Sequence, residues 1–122
     1  MNKSLSDLRI DAFVRQAGRC YYCTVLMWID DGVSFARKHG LSSRVARCLK
    51  CTAEHLLARR DGGRDSRDNI VAACLFCNLR RHRGRTKAPT PRAYRTRVRH
   101  RLERGRWHFP QVLRRGLIRL QE

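Results

Sequence analysis

Acidic residues are scarce in this 122-residue chain, where 10 Asp and Glu stand against 28 Lys and Arg and give a formal net charge of +18. This imbalance excludes an ordinary, nearly neutral surface. All but four of the basic residues are arginine, whose planar fork suits phosphate better than the point charge of lysine does. A polyanionic partner is therefore expected, with nucleic acid ahead of an acidic membrane surface.

Long apolar runs are also missing. No stretch approaches the roughly 18 consecutive apolar residues of a membrane span, and the opening MNKSLSDLRIDAFV lacks the apolar block of a signal peptide. These absences predict a cytoplasmic protein without a membrane partner. Thiols stay reduced in that compartment, so the six cysteines point to metal binding rather than to disulfides.

The chain divides into three predicted segments. Residues 1–19 contain a helix that Ser4 or Ser6 can cap and Gly18 ends. Residues 20–84 hold the cysteine pairs, with a weaker helix signal over residues 33–47, a short strand in NIVAAC and a helix in NLRRHRG. Residues 85–122 form a basic helical extension, which three apolar positions are expected to dock on the core: Tyr94, Val98 and Leu102. Trp107 and Phe109 are expected to anchor in the core rather than to stack on bases.

Three Cys-x2-Cys pairs predict a structural zinc site. Two pairs supply the four thiolates, about 2.3 Å from the metal, that complete a tetrahedral shell, and a domain this small gains from such a staple. Spacing leaves the choice of quartet open. Cys20 and Cys23 can join Cys74 and Cys77, or Cys48 and Cys51 can take the place of the first pair, in which case the remaining two are packed thiols.

The segment between the second and third cysteine pairs carries an unusual set of polar residues. Glu54 and His55 are followed by a Gly-Gly turn, then by Asn69, and then by Cys74-x2-Cys77-Asn78-x3-His82. On a helix, Asn78 and His82 at i and i+4 share one face, which is a spacing that two ligands of one metal ion can use. Glu54 and His55 converge only if the strand that carries them ends or bends there, because neighbours on a strand face opposite sides.

Over about residues 20–84 this pattern resembles the HNH endonuclease family, in its cysteine-rich, zinc-knuckle type. Ala58 stands where a proline is common and Arg81 where a lysine is common; neither departure is expected to touch the chemistry. The resemblance implies an α+β fold with a small ββα-metal (His-Me finger) core and a structural zinc. It also implies metal-dependent hydrolysis of DNA that leaves a 5′-phosphate and a 3′-hydroxyl.

The same resemblance assigns roles to the polar residues. His55 is expected to activate water, because an imidazole suits the general base of a hydrolysis, while Glu54, Asn78 and His82 are expected to hold Mg²⁺ or another divalent cation. Asn69 is expected to fix the loop that carries His55. His39, His100 and His108 have no predicted partner.

A basic surface around this site predicts contacts with the nucleic-acid backbone, made by Arg80, Arg81, Arg83, Arg95 and Arg99. Two alternatives remain open at this point. A zinc-stabilised nucleic-acid-binding module without catalysis needs the same charge and cysteines, and an RNA-cleaving nuclease could use the same site. Only the set Glu54, His55, Asn78 and His82 distinguishes an enzyme from a binder.

Overall fold

The computed structural model describes residues 3–119. Short helices surround one hairpin, so the fold is a small α+β structure. The elements follow in the order α1 Leu5–Arg15, α2 Gly32–His39, α3 Ser43–Cys48, β1 Cys51–His55, β2 Ile70–Cys74, α4 Leu75–His82, α5 Pro91–Glu103 and α6 Pro110–Arg114. No helix among the described residues has the length and apolar character needed to cross a membrane.

Helix α1 forms as its sequence predicts. The Ser4 side chain accepts a hydrogen bond from the backbone nitrogen of Asp7 and so caps the first turn, and Leu8 and Ala12 bury one face. Beyond the last turn, the Gln16 amide pairs with both the nitrogen and the carbonyl of Ala72 at 2.9 and 2.8 Å. This pairing attaches the end of α1 to the hairpin.

The helix expected over residues 33–47 is two helices. Gly40 adopts a left-handed conformation, with φ of 65°, and ends α2. Ser42 then caps α3 by accepting from the nitrogen of Val45. The prediction of one helix was wrong, because Gly40 ends the first helix and Ser42 caps the second.

A two-stranded antiparallel hairpin and the helix after it carry the centre of the molecule. In its register Glu54 lies opposite Val71, and His55 lies opposite Ile70. Strand β2 is buried along its whole length, and α4 begins at the next residue, with the Cys74 sulfur capping its first turn. The order β1, β2, α4 is compatible with a ββα-metal arrangement.

The C-terminal extension packs on the same core as the rest of the chain. Tyr94, Val98 and Leu102 form the buried face of α5, as predicted, and Trp107 is buried as an anchor. The hydrophobic cluster draws residues from each of the three predicted segments, from Ala12 to Leu117. The extension is therefore part of the common core rather than a separate tail.

Candidate metal centre and active site

Four cysteines from two distant parts of the chain meet in the interior: Cys20, Cys23, Cys74 and Cys77, whose sulfur atoms all lie within 4.8 Å of one another. The Cys23 and Cys74 sulfurs are 3.8 Å apart. A tetrahedron with metal–sulfur bonds of about 2.3 Å has edges of about 3.8 Å. The quartet therefore fits a zinc ion and can hold one.

The second cysteine pair lies outside this quartet. Cys51 is buried in β1, where it pairs in register with Cys74, and burial raises the pKa of its thiol to about 11. Cys48 ends α3 and is half-buried. The alternative quartet that used these two cysteines is therefore ruled out by the geometry, and they behave as packed thiols.

Nitrogen donors surround the four sulfurs. The Cys20 sulfur accepts from the backbone nitrogens of Tyr22 and Cys74 at 3.4 and 3.3 Å, and the Cys77 sulfur accepts from the Trp107 indole at 3.3 Å. His108, for which no partner was predicted, places Nε2 3.1 Å from the Cys23 sulfur. Such donors stabilise negative charge on thiolates.

The ionisation of the thiols also favours a metal. Burial alone would raise the pKa of the Cys20 thiol, yet hydrogen bonds from Cys23, Cys74 and Cys77 lower it well below its ordinary value. Burial raises the pKa of Cys23 and Cys77. A divalent cation is what allows all four thiols to ionise together in this buried pocket.

Glu54 lies in the interior, 2% exposed, on the side of β1 that faces α4. Its Oε2 accepts from the Tyr22 hydroxyl and from Arg81 Nη1, both at 3.0 Å. Its Oε1 is 3.0 Å from His82 Nε2, and the His82 side chain is 34% exposed. The carboxylate is therefore held on its inner oxygen and meets a partly solvated imidazole on the other.

Arg81 does not lie on the surface where phosphate contact was predicted. It is 3% exposed, and its guanidinium donates to the carbonyls of His55, Leu56 and Pro89 as well as to Glu54. A buried carboxylate needs such a partner, which explains the position. The residue therefore contacts Glu54, one of the predicted cation ligands.

His55 ends β1 and turns toward the loop that follows. Its Nε2 lies 2.7 Å from Asp65 Oδ1, and Arg59 binds both oxygens of the same carboxylate. Hydrogen bonds from His55 first, and then from Arg59, lower the pKa of Asp65. Within residues 3–119 no hydrogen bond joins His55 to Glu54, Asn78 or His82.

Asn69 ties together the two ends of this loop. Its side chain accepts from the nitrogen of Leu57 and donates to the carbonyls of Leu57 and Arg64, at 2.9 to 3.0 Å. Gly63 lets the loop close, because a Cβ there would lie 1.7 Å from the Leu57 carbonyl oxygen. The second glycine of the Gly-Gly motif is thus explained by a close backbone approach, whereas Gly62 adopts a left-handed conformation with φ of 97°.

Asn78 occupies the face of α4 that carries His82, one turn earlier. Its Nδ2 donates to the Thr52 hydroxyl at 3.0 Å, and Thr52 precedes Glu54 by two residues on the same face of β1. This bond engages the amide nitrogen and leaves the amide oxygen as the atom suited to a cation. The structure brings Glu54 and His82 into direct contact, with Asn78 beside them.

Of the remaining predicted arginines, Arg83 is exposed, and Arg80, Arg95 and Arg99 are half-buried. Arg80 stacks its guanidinium 3.5 Å from the centre of the Phe76 ring, and Arg83 is exposed. Arg95 and Arg99 line a cavity beside Tyr21. Arg80 is held in place by its stacking and Arg83 is open to solvent, so the two differ in how far they are fixed.

Two residues at the site, Tyr22 and Asp65, had no assigned role in the sequence, and Arg81 was expected only to contact phosphate. Tyr22 lies inside a cysteine pair, Asp65 is one of several acids in its loop, and Arg81 reads as one of a basic run. The departure from lysine at position 81 was the one available signal. Which acid would meet His55 depends on how the loop folds.

Comparison with known proteins identifies the same region of the chain. The model of the HNH endonuclease family matches residues 39–84, which include Glu54, His55, Asn78 and His82. No curated protein and no solved structure matches the chain. The four clustered cysteines are consistent with the cysteine-rich type of that family. Over residues 39–84 this chain is therefore similar to the HNH endonuclease family.

Proposed function

We propose that the chain is a metal-dependent endonuclease that hydrolyses phosphodiester bonds of DNA. The observation that carries this proposal is the contact of Glu54 with His82 at 3.0 Å, beside a histidine held by an aspartate at the end of the same strand. Both lie in the HNH domain. A module that only binds nucleic acid needs neither arrangement.

His55 is the proposed general base. Its Nε2 donates to the ionised Asp65, so the lone pair is on Nδ1, which is the atom able to take a proton from water. Asp65 fixes the ring and stabilises the imidazolium that forms. Arg59 and Asn69 hold the loop that carries Asp65 and thus set the direction of the imidazole.

Glu54 Oε1, His82 Nε2 and the Asn78 amide oxygen are the proposed ligands of a divalent cation. Two neighbouring ligands about 2.1 Å from an octahedral ion lie about 3 Å apart, and Oε1 and Nε2 are 3.0 Å apart. Such an ion, when bound, neutralises charge on the phosphate and on the leaving oxygen. A magnesium ion suits an oxygen-rich site that leaves room for substrate phosphate.

Arg81 and Tyr22 are proposed to position Glu54 rather than to touch substrate. Both donate to Oε2, so the other oxygen stays directed at His82. Arg81 also supplies the cation that a buried carboxylate needs. The exposed arginines, Arg83 among them, and the stacked Arg80 are proposed to contact backbone phosphates.

Supercoiled plasmid tests this proposal directly. Zinc-loaded wild-type protein with added Mg²⁺ or Mn²⁺ is expected to convert it to nicked or linear forms, and His55→Ala and His82→Ala are expected to lose conversion by about 100-fold or more. Intact plasmid under every metal, together with tight binding in gel shifts, would make the chain a binding module. Cleavage of RNA alone would change the substrate but keep the site.

A further inference from the structure

A basic cavity of about 670 Å³ lies between the first cysteine pair and the start of α5. Tyr21 forms one wall, and the other is α5, with its capping residue Thr90 and with Arg92, Arg95 and Arg99. The other residues that line it are uncharged. Among residues 3–119, the charged side chains that line the cavity are all arginines.

The three arginines share one face of α5, since their positions follow the i, i+3, i+7 spacing of a helix. The Arg95 guanidinium carbon lies 5.1 Å from the centre of the Tyr21 ring, a separation at which a cation and an aromatic face attract. Its Nε is enclosed and makes no hydrogen bond. Arg95 is thus held by packing on the ring.

Both walls of the cavity are attached to the candidate active site. Tyr22, the neighbour of Tyr21, donates its hydroxyl to Glu54. Pro89, the neighbour of Thr90, accepts from Arg81 at 2.9 Å, and Arg81 donates to Glu54 in turn. The spacing between cavity and carboxylate is consequently fixed by buried hydrogen bonds on both sides.

We propose that this cavity binds an internucleotide phosphate of the strand that is cut, close to the scissile bond. The inference rests on the proposed function for the identity of that strand. Guanidinium forks match phosphate oxygens in pairs, and the start of a 13-residue helix adds a favourable dipole for an anion. The two walls of the cavity are bonded through their neighbours to Glu54 and Arg81, which is why the bond next to this phosphate is proposed as the scissile one.

The test measures DNA affinity and its salt dependence without cleavage, in a His55→Ala background with a short duplex as the probe. Arg95→Ala and Arg92→Ala are each expected to weaken binding by about tenfold and to lower the slope of log affinity against log salt by about 0.9, which is the loss of one phosphate contact. Arg97→Ala is the matched control. It removes the same charge from an exposed position of the same helix, and less than about a twofold change is expected.

Arg95→Lys separates geometry from charge. The substitution keeps the positive charge but removes the planar guanidinium group. The variant is therefore expected to bind the duplex more weakly than the His55→Ala parent. Should Arg95→Ala fail to fold in a thermal melt, the comparison of Arg92→Ala with Arg97→Ala decides alone. Equal losses at positions 92 and 97 would overturn the cavity as a phosphate site and leave a diffuse basic field.

Failure of the cavity and failure of the nuclease proposal give different results. If DNA binding weakens selectively in the variants at positions 92 and 95 and the wild-type protein cleaves no DNA, the result supports the cavity as a phosphate site and refutes the proposed function. Cleavage with equal losses at positions 92, 95 and 97 supports the nuclease and refutes the cavity.

Discussion

The Glu54 carboxylate is buried with a donor on each side, and this arrangement explains several residues at once. Tyr22 and Arg81 hold Oε2, and His82 meets Oε1. A charged carboxylate placed in the interior without a cation would be strongly destabilising. Arg81 supplies that cation and at the same time bonds the strand end to the linker before α5.

Replacing Arg81 with alanine is expected to lower the free energy of unfolding by about 3 kcal/mol or more, because the substitution leaves a buried carboxylate and three backbone carbonyls without their donor. Arg81→Lys should fall between, since an ammonium group keeps the charge but cannot reach every acceptor. Urea denaturation measures both. Arg83→Ala, an exposed neighbour, should stay within about 0.5 kcal/mol, and an equal loss at both positions would contradict the buried role.

Thiol labelling distinguishes the cysteines one by one. In the folded, zinc-loaded protein only Cys48 is expected to react with iodoacetamide at pH 8. Four of the other cysteines are bound to the metal as thiolates. Cys51 is 1% exposed, and because its pKa is raised to about 11, its thiol stays protonated at pH 8. Mass spectrometry of the labelled peptides reads the pattern. Labelling of Cys20 and Cys23 in place of Cys48 would show that the zinc uses the other quartet.

At the scale of elements, the loop from β1 to β2 is held by a close backbone contact. A Cβ at position 63 would lie 1.7 Å from the Leu57 oxygen, whereas a Cβ at Gly84 meets open space. The first position therefore cannot accept a side chain unless the loop that carries Asp65 moves.

Gly63→Ala is expected to reduce cleavage by about 100-fold, the loss typical of a catalytic group displaced by about 1 Å, while zinc content stays at one per chain. Initial rates on plasmid and metal analysis give the two readouts. Gly84→Ala, which strains only its own backbone, should cost about 1 kcal/mol of stability and leave the rate nearly unchanged. Similar rates for the two variants would show that the loop does not position the site.

The segment after α5 covers the zinc quartet from outside. Trp107→Phe removes the indole donor to the Cys77 sulfur and is expected to speed zinc loss to a chelator about tenfold, as is usual for donors that support metal ligands. Trp28→Phe is matched to it, because the Trp28 indole bonds the Ala46 carbonyl away from the metal. Release followed with a colorimetric zinc indicator should change only in the first variant; equal rates would remove Trp107 from the metal site.

At the scale of the whole molecule, the sequence predicts the elements better than it predicts their contacts. Helix α1, strand β2 and helix α5 follow from capping residues and apolar spacing, and all three form. The end of α2 at Gly40 was not predicted, because residues 33–47 were treated as one helical segment although a glycine in such a segment can end a helix.

Contacts at the site depend on parts of the chain that lie far apart in sequence. The pairing of Glu54 with Arg81 spans 27 residues, and that of Cys23 with His108 spans 85. No local spacing encodes such pairs. The spacing of the motif did predict that Glu54, Asn78 and His82 lie in one region. An antiparallel hairpin followed directly by a helix leaves little freedom in the relative positions of β1 and α4.

The most direct measurement separates the two metals. Protein shown by metal analysis to carry one zinc per chain is mixed with an end-labelled DNA duplex, and Mg²⁺ or Mn²⁺ is then titrated in. No cleavage is expected before the titration, and saturable cleavage to 5′-phosphate and 3′-hydroxyl ends is expected during it. His55→Ala is expected to lose this cleavage, and His100→Ala is expected to keep it. Cleavage by the zinc form alone, or cleavage that persists in His55→Ala, would contradict the proposed site.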